Sequence, residues 1–345
     1  MFIKLLSMKK ILFSAALLLM VLASCKKEDI NNETQRPGKV VSGYLNVTLA
    51  YENGMETKAT TDYTTVLDAE KAEKKVAVYV FDKESGQLNV SKTLTKTSDA
   101  FNVTVPVGTK TVYAIVNGPD LSNVTTISQM QTVTDNLAVT SIEDDGFTMI
   151  GSADCTVSAS TPATAAITVR RLVSRIVLKK VTNSLPSQYG NMTIDAIYLG
   201  DANSVQTFAG AVSAVVNPSG YADASKTKAI GKNNVTGSCS GYMFKKLAAN
   251  VNVGSSYATA QHLYCQPNSS STYTTLHMLM TIGGLQYYYK IPITGGIKAN
   301  HTYSVEANVI NLGTDNPDEV LVKGELNATI TVAGWSAGEE YDAEF

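Results

Sequence analysis

Glu325-Leu326-Asn327-Ala328-Thr329-Ile330-Thr331-Val332-Ala333-Gly334-Trp335 is the stretch that decides how this chain folds. Leu326, Ala328, Ile330 and Val332 alternate with Asn327, Thr329 and Thr331, a period of two that predicts an extended strand with one apolar face. Gly324 and Gly334 bound the run and no proline interrupts it. Near the other end, Tyr44 to Tyr51 repeats the pattern, with Leu45, Val47, Leu49 and Tyr51 on one face. A strand with one apolar face needs a partner sheet, in its own chain or in another.

Working outward, the same alternation recurs along the chain, in a composition rich in Thr, Val, Ser, Ala, Asn and Tyr that favours strands. Lys75–Asp82, Phe101–Pro106, Thr111–Asn117, Phe147–Gly151, Met192–Leu199, His262–Cys265 and Tyr303–Ile310 read as strands. Thr274–Ile282 and Leu285–Ile293 flank Gly283-Gly284 and predict a tight hairpin. Ala165–Val181 reads as one strand whose alternation breaks at Arg170-Arg171, which predicts a bulge or an edge. Three of the four arginines crowd there, and are expected as paired surface or interface charges. Helices are expected at Val66–Lys75 and at Leu121–Leu137, the latter capped by Asp120. The polar segment Asn183–Gly190 is the expected domain boundary, and Asn217–Gly241 is a long polar region. The fold class is mainly β: two β-sandwich-like (transthyretin-like) domains with a few short helices.

Lys+Arg 28 against Asp+Glu 30 gives no basic excess, so nucleic acid is not expected as a partner. Residues 1–24 read as a signal peptide, with Lys4, Lys9 and Lys10 preceding the apolar run Ile11–Ala23. Leu22-Ala23-Ser24-Cys25 resembles a bacterial lipobox, which makes Cys25 the expected lipidation site and the outer membrane a partner through the lipid. A polar tether follows to about Lys39. Glu52–Asp62 reads as an exposed loop in which Lys58 precedes Ala59, a fitting site for a trypsin-like protease.

Candidate chemistry is thin. With Cys25 assigned to lipid, Cys155, Cys239 and Cys265 are too few and too scattered for a disulfide framework and read as buried thiols. Gly237-Ser238-Cys239-Ser240-Gly241 has the outline of a nucleophile elbow but sits among turn residues. His262, His277 and His301 lack ligand spacing, and Asp315–Glu319 lacks a calcium-loop pattern. No catalytic residue, cofactor or metal is expected.

Ala299–Val305, Ile310–Asp318 and the terminal strand to Trp335 resemble the C-terminal signature of Bacteroidales fimbrillins, the subunits of type V pili. Thr57-Lys58-Ala59, Val78–Asp82, Tyr113–Asn117, Arg171–Ile176 and Tyr264–Asn268 fit the same family in the same order. The resemblance implies export as a lipoprotein, cleavage after a basic residue, loss of the first strand, and filling of the opened groove by a strand of another subunit. Residues 25–58 would then be a propeptide carrying the removed strand (Leu45, Val47, Leu49, Tyr51), and residues 59–182 an acceptor domain. Residues 183–345 would carry the donor strand (Leu326, Ala328, Ile330, Val332). The partners so implied are other copies or related pilus subunits and the processing protease. The best-known members are cut after arginine, whereas Lys58 stands here, which implies a broader trypsin-like specificity. The rival expectation is a permanently anchored surface lipoprotein that binds glycan or protein and does not polymerise.

Overall fold

The computed structural model describes residues 40–52, 70, 72–137, 146–216, 221–223, 228–230, 242–269, 273–315, 326–334 and 337–344. Strands dominate them. In chain order the first eight are β1 (Ser42–Tyr51), β2 (Val76–Asp82), β3 (Leu88–Leu94), β4 (Phe101–Pro106), β5 (Gly108–Val116), β6 (Thr134–Asn136), β7 (Met149–Val157) and β8 (Ala163–Arg171). All but β6 form one seven-stranded sheet in the order β3-β2-β5-β7-β8-β1-β4. The first of the described strands therefore lies inside the sheet, between β8 and β4.

The remaining strands are β9 (Ser174–Asn183), β10 (Met192–Gly200), β11 (Ala202–Thr207), β12 (Val212–Val216), β13 (Tyr221–Asp223), β14 (Lys228–Ile230), β15 (Phe244–Val251) and β16 (Ser256–Tyr257). They continue as β17 (Gln261–Cys265), β18 (Thr275–Ile282), β19 (Leu285–Pro292), β20 (His301–Val309), β21 (Leu326–Gly334) and β22 (Ala337–Glu344). One sheet runs β16-β9-β20-β21-β22 with β17 also paired to β9, and another runs β15-β10-β18-β19. Smaller sheets join β12-β11-β6 and β13-β14. The architecture is mainly β and sandwich-like.

Burial follows the alternation. In β2, Val76, Val78 and Val80 enter a core with Val112, Ala114 and Val116 of β5. Ala77, Tyr79 and Phe81 enter a second cluster on the other side with Ile115, Leu121, Val124 and Met130. A strand buried on both faces explains its continuous apolar run. A larger core gathers residues of β9, β10, β17, β18, β19 and β20. The Gly283-Gly284 hairpin forms as expected: Ile282 pairs with Leu285, and φ of 59° and 83° at the two glycines suits a two-residue turn.

Several expectations are corrected. The helix foreseen over Leu121–Leu137 is only Ile127–Thr132, and its cap is Thr126, not Asp120. The Thr126 hydroxyl accepts from the Gln129 amide while the Gln129 side chain accepts from the Thr126 amide, a capping box that starts the helix there. Asp120 instead holds a local turn through the Ser122 amide, and Thr134–Asn136 leaves the helix to pair with β11. Most of the helix foreseen over Val66–Lys75 lies outside the described residues (66–69 and 71); Glu70 is helical, and only 72–75 depart from the expectation as irregular chain.

Ala165–Val181 is not one bulged strand. β8 belongs to the seven-stranded sheet, β9 pairs with β20 and β17, and Leu172-Val173 joins them, so the broken alternation marks a change of sheet. Val173, Ile176, Leu178 and Val181 accordingly lie in the larger core with the strands that follow Asn183. Arg171 and Arg175 are buried and not at the surface, with 4% and 1% exposure. Cys155 is half-buried and Cys265 buried, both as free thiols, and Cys239 lies outside the described residues. Burial pushes the Cys265 thiol up to about 12, so it stays protonated and inert.

Candidate assembly site

β1 is built to be held on three sides. It pairs in parallel with β8 from Leu45 opposite Ala163 to Tyr51 opposite Val169, and antiparallel with β4 from Ser42 opposite Pro106 to Val47 opposite Phe101. Its inward face enters the core beneath, with Leu45 and Val47 at 0% and 5% exposure and Leu49 and Tyr51 partly buried. Phe101 and Val105 of β4 and Ala165, Ile167 and Val169 of β8 line that core on either side. The outward residues Tyr44, Thr48 and Ala50 are exposed.

The entrance of this slot is tight. A Cβ at Gly43 would stand 2.0 Å from the Ser158 carbonyl oxygen and 2.8 Å from a methyl of Val157, so glycine is required unless the end of β7 moves. At the far end, the Glu52 amide donates to the Val169 carbonyl (2.9 Å) and the Tyr51 hydroxyl to the Glu73 carboxylate. Burial and the Glu73 carboxylate hold the Tyr51 phenol well above the usual tyrosine range. Asn300 Nδ2 donates to Glu52 (3.1 Å), which ties the end of β1 to the start of β20.

Residues 53–69, which contain Lys58 and Ala59, lie outside the described residues, as does Cys25. The chain is described again at Glu70, which is fully buried. Glu70 accepts from Arg175 Nη1 (2.9 Å) and the Tyr264 hydroxyl (2.6 Å), while its carbonyl accepts from Arg171 Nη2 (3.1 Å). Burial lowers the Arg171 guanidinium to about 10 and raises the Tyr264 phenol well above its ordinary value. Beyond Glu70, the Ala72 carbonyl and the Lys74 amide are both held by the Asn117 side chain (2.6 and 2.8 Å).

β21, the other strand singled out by its alternation, pairs antiparallel with β20 from Leu326 opposite Val309 to Gly334 opposite His301. β22 covers its other edge. Ile330 is 2% exposed, while Leu326, Ala328 and Val332 are partly buried against the larger core. β1 and β21 thus occupy different sheets and are not brought together within one chain.

The scattered histidines form no site. His277 stacks on Tyr198 with ring centroids 4.6 Å apart, and burial lowers it to about 3. His262 is lowered to about 4 by burial, with Arg175 and Lys245 adding repulsion. No cluster of three metal-ligating side chains occurs among the described residues. A cleft of about 590 Å³ lined by Lys74, Asn117, Asp120 and Asp135 has its deep carboxylate already engaged, by Thr148 (2.6 Å) and Gln266. The Glu70 network went unforeseen because its members are far apart in sequence. Gly43 carried a legible signal, a glycine inside a strand pattern.

No protein-family model matches the sequence, and a comparison with curated proteins finds no match. Solved structures do match. A candidate cell adhesion protein from Bacteroides eggerthii is 18% identical with a TM-score of 0.63, over 85% of this chain and 96% of that one. Another from Parabacteroides distasonis is 18% identical with a TM-score of 0.61, over 87% and 100%. A fimbrilin from Porphyromonas gingivalis is 17% identical with a TM-score of 0.59, over 85% and 97%. At such identities the likeness is one of fold, and it spans nearly the whole of each of those chains. This chain is built on the fimbrilin fold.

Proposed function

We propose that the chain is a structural, non-catalytic subunit of a surface pilus that supports adhesion, polymerised by exchange of a strand between copies. The observation that carries the reading is the place of β1. It is the first of the described strands, yet it lies inside a sheet, with ladders on both edges and Leu45 and Val47 in the core. Loss of β1 would part β4 from β8 and bare Phe101, Val105, Ile167 and Val169 as an apolar groove lined by unpaired backbone. Such a groove takes an added strand: backbone bonds give affinity, and alternate side chains give register. A cut in the covalent link beyond Tyr51 would free β1 from the rest of the chain, and Lys58-Ala59 lies on that link.

On this reading Cys25 carries lipid that brings the precursor to the outer membrane, and cleavage after Lys58 removes residues 25–58. The acceptor groove lies in the N-terminal part, and the donor strand Leu326–Val332 in the C-terminal part. The adhesion proteins and the fimbrilin of the same fold support a surface appendage as the setting. N-terminal sequencing of sheared surface material tests the scheme. Ala59 at the head of high-mass, SDS-resistant ladders is the expected result. Lipidated Cys25 on all of the protein would overturn it in favour of a permanently anchored lipoprotein.

A further inference from the structure

We propose that the strand entering the groove is β21 of a second copy, running in the same chain direction as β1, with Leu326 in the place of Leu45. This rests on the assembly reading above and adds direction and register to it. The two segments align in pattern, with apolar and polar places in step. Gly43-Tyr44-Leu45-Asn46-Val47-Thr48-Leu49-Ala50-Tyr51 aligns with Gly324-Glu325-Leu326-Asn327-Ala328-Thr329-Ile330-Thr331-Val332 without a gap. Glycine, leucine, asparagine and threonine recur at the same four places. Read backwards from Gly334, only the glycine and Thr329 coincide with their counterparts.

Each correspondence meets a physical demand of the slot. The entrance admits no Cβ, since one at Gly43 would lie 2.0 Å from the Ser158 carbonyl oxygen, and the alignment supplies glycine there from Gly324. Leu45 is wholly buried, and Leu326 is the same side chain. Val47 is 5% exposed, and Ala328 is smaller. Ile330 is isomeric with Leu49, and Val332 is smaller than Tyr51. In this direction no inward-facing donor side chain is bulkier than the one it replaces, and Thr331 exceeds Ala50 only on the exposed outer face, so neither wall has to move.

The reverse direction would put Ile330 into the closed Val47 position, an added methylene in a close-packed site. It would also put Val332 where Leu45 fills the core. The same-direction donor runs antiparallel to β4 and parallel to β8, restoring both ladders as β1 left them. The smaller residues Ala328 and Val332 leave the groove less completely filled than β1 does.

Cysteine pairing in assembled fibres reads the direction. Asn46 lies opposite Asn102 of β4, and opposed Cα atoms in an antiparallel pair lie within disulfide reach. With Asn102→Cys, the same direction places Asn327→Cys opposite it, whereas the reverse places Thr331→Cys there. Expected is an intersubunit disulfide, mapped by mass spectrometry, with Asn327→Cys and not with Thr331→Cys.

The opposite result overturns the direction while leaving strand exchange intact. Fibres that form with neither bond overturn β21 as the occupant in this register. If the processed wild-type chain forms no fibre, the assembly reading itself fails, and this inference with it. A second variant keeps the register testable should a cysteine pair fold poorly. Ala328→Val restores the volume of Val47, so its ladders should persist to higher temperature than wild type. Unchanged or weaker ladders overturn the register.

Discussion

β1 and β21 carry the same alternation but are held in different ways. β1 has a strand on each side, one parallel and one antiparallel, and its two central apolar residues are almost wholly out of water. β21 has β20 on one side and β22 on the other, and of Leu326, Ala328, Ile330 and Val332 only Ile330 is fully buried. The contrast bears on assembly. On the proposed assembly, β1 would be released by a cut beyond Tyr51, whereas β21 would leave its place beside β20 while still joined to its own chain. Similar patterning would then mark one segment to be removed and one to be lent.

The largest expected effect sharpens the first half of that contrast. Glu70 holds the chain just beyond the proposed cut, and Glu70→Ala leaves Arg175 buried beside it without its carboxylate. The cost should be about 3–5 kcal/mol in denaturant unfolding of the precursor. Glu70→Gln with Arg175→Met, which removes both charges, should recover much of it.

Next, Leu45→Ala should destabilise the precursor by about 2–5 kcal/mol, and Leu326→Ala by clearly less, since Leu326 is only partly buried. Equal effects on the unfolding midpoint would break the comparison. After removal of residues up to 58, the Leu45 effect should vanish with the residue itself.

Acid should separate the two regions further. His262 and His277 are held neutral, with folded values near 4 and 3 against an ordinary value near 6.5. The unfolded chain then binds more protons between these limits. Stability present above about pH 6.5 is lost as pH falls through about 4, and the loss lies in the strands that carry them. Hydrogen exchange at pH 5 against pH 7 should show β17 and β18 opening before β1. The smallest effect is Thr126→Ala, which removes a helix cap for about 1 kcal/mol in thermal unfolding and should leave both β1 and β21 unchanged.

Much of this was legible in the sequence because burial on one face writes itself as a period of two. β1, β20 and β21 are bounded nearly where their alternation begins and ends, and the Gly283-Gly284 turn is a local event that two residues specify. The short helix was misjudged because its apolar spacing extends over turns on both sides, and only the Thr126–Gln129 box fixes where it starts. The arginine segment was misread for a different reason. A change of sheet and a bulge both interrupt alternation, and only the partners of β8 and β9 tell them apart. Pairing order is likewise invisible locally: that β1 lies between β8 and β4 depends on distant contacts, Leu45 opposite Ala163 on one side and Val47 opposite Phe101 on the other.

The Leu172-Val173 link also has a mechanical meaning. On the proposed assembly β8 would form a wall of the groove, and β9 forms a ladder with β20, so two residues would join the place that receives a neighbour to the sheet that holds the strand to be lent. Tension drawn along such a fibre would run from β21 through β20 to β9, across this link, into β8 and onward. β9–β20 and β1–β8 are parallel ladders, and on the proposed assembly a donor running as β1 does would keep the second, so that a pull from opposite ends would load many hydrogen bonds together. The buried Arg171 and Arg175, on either side of the link and both bonded to Glu70, would brace it where the load changes sheets.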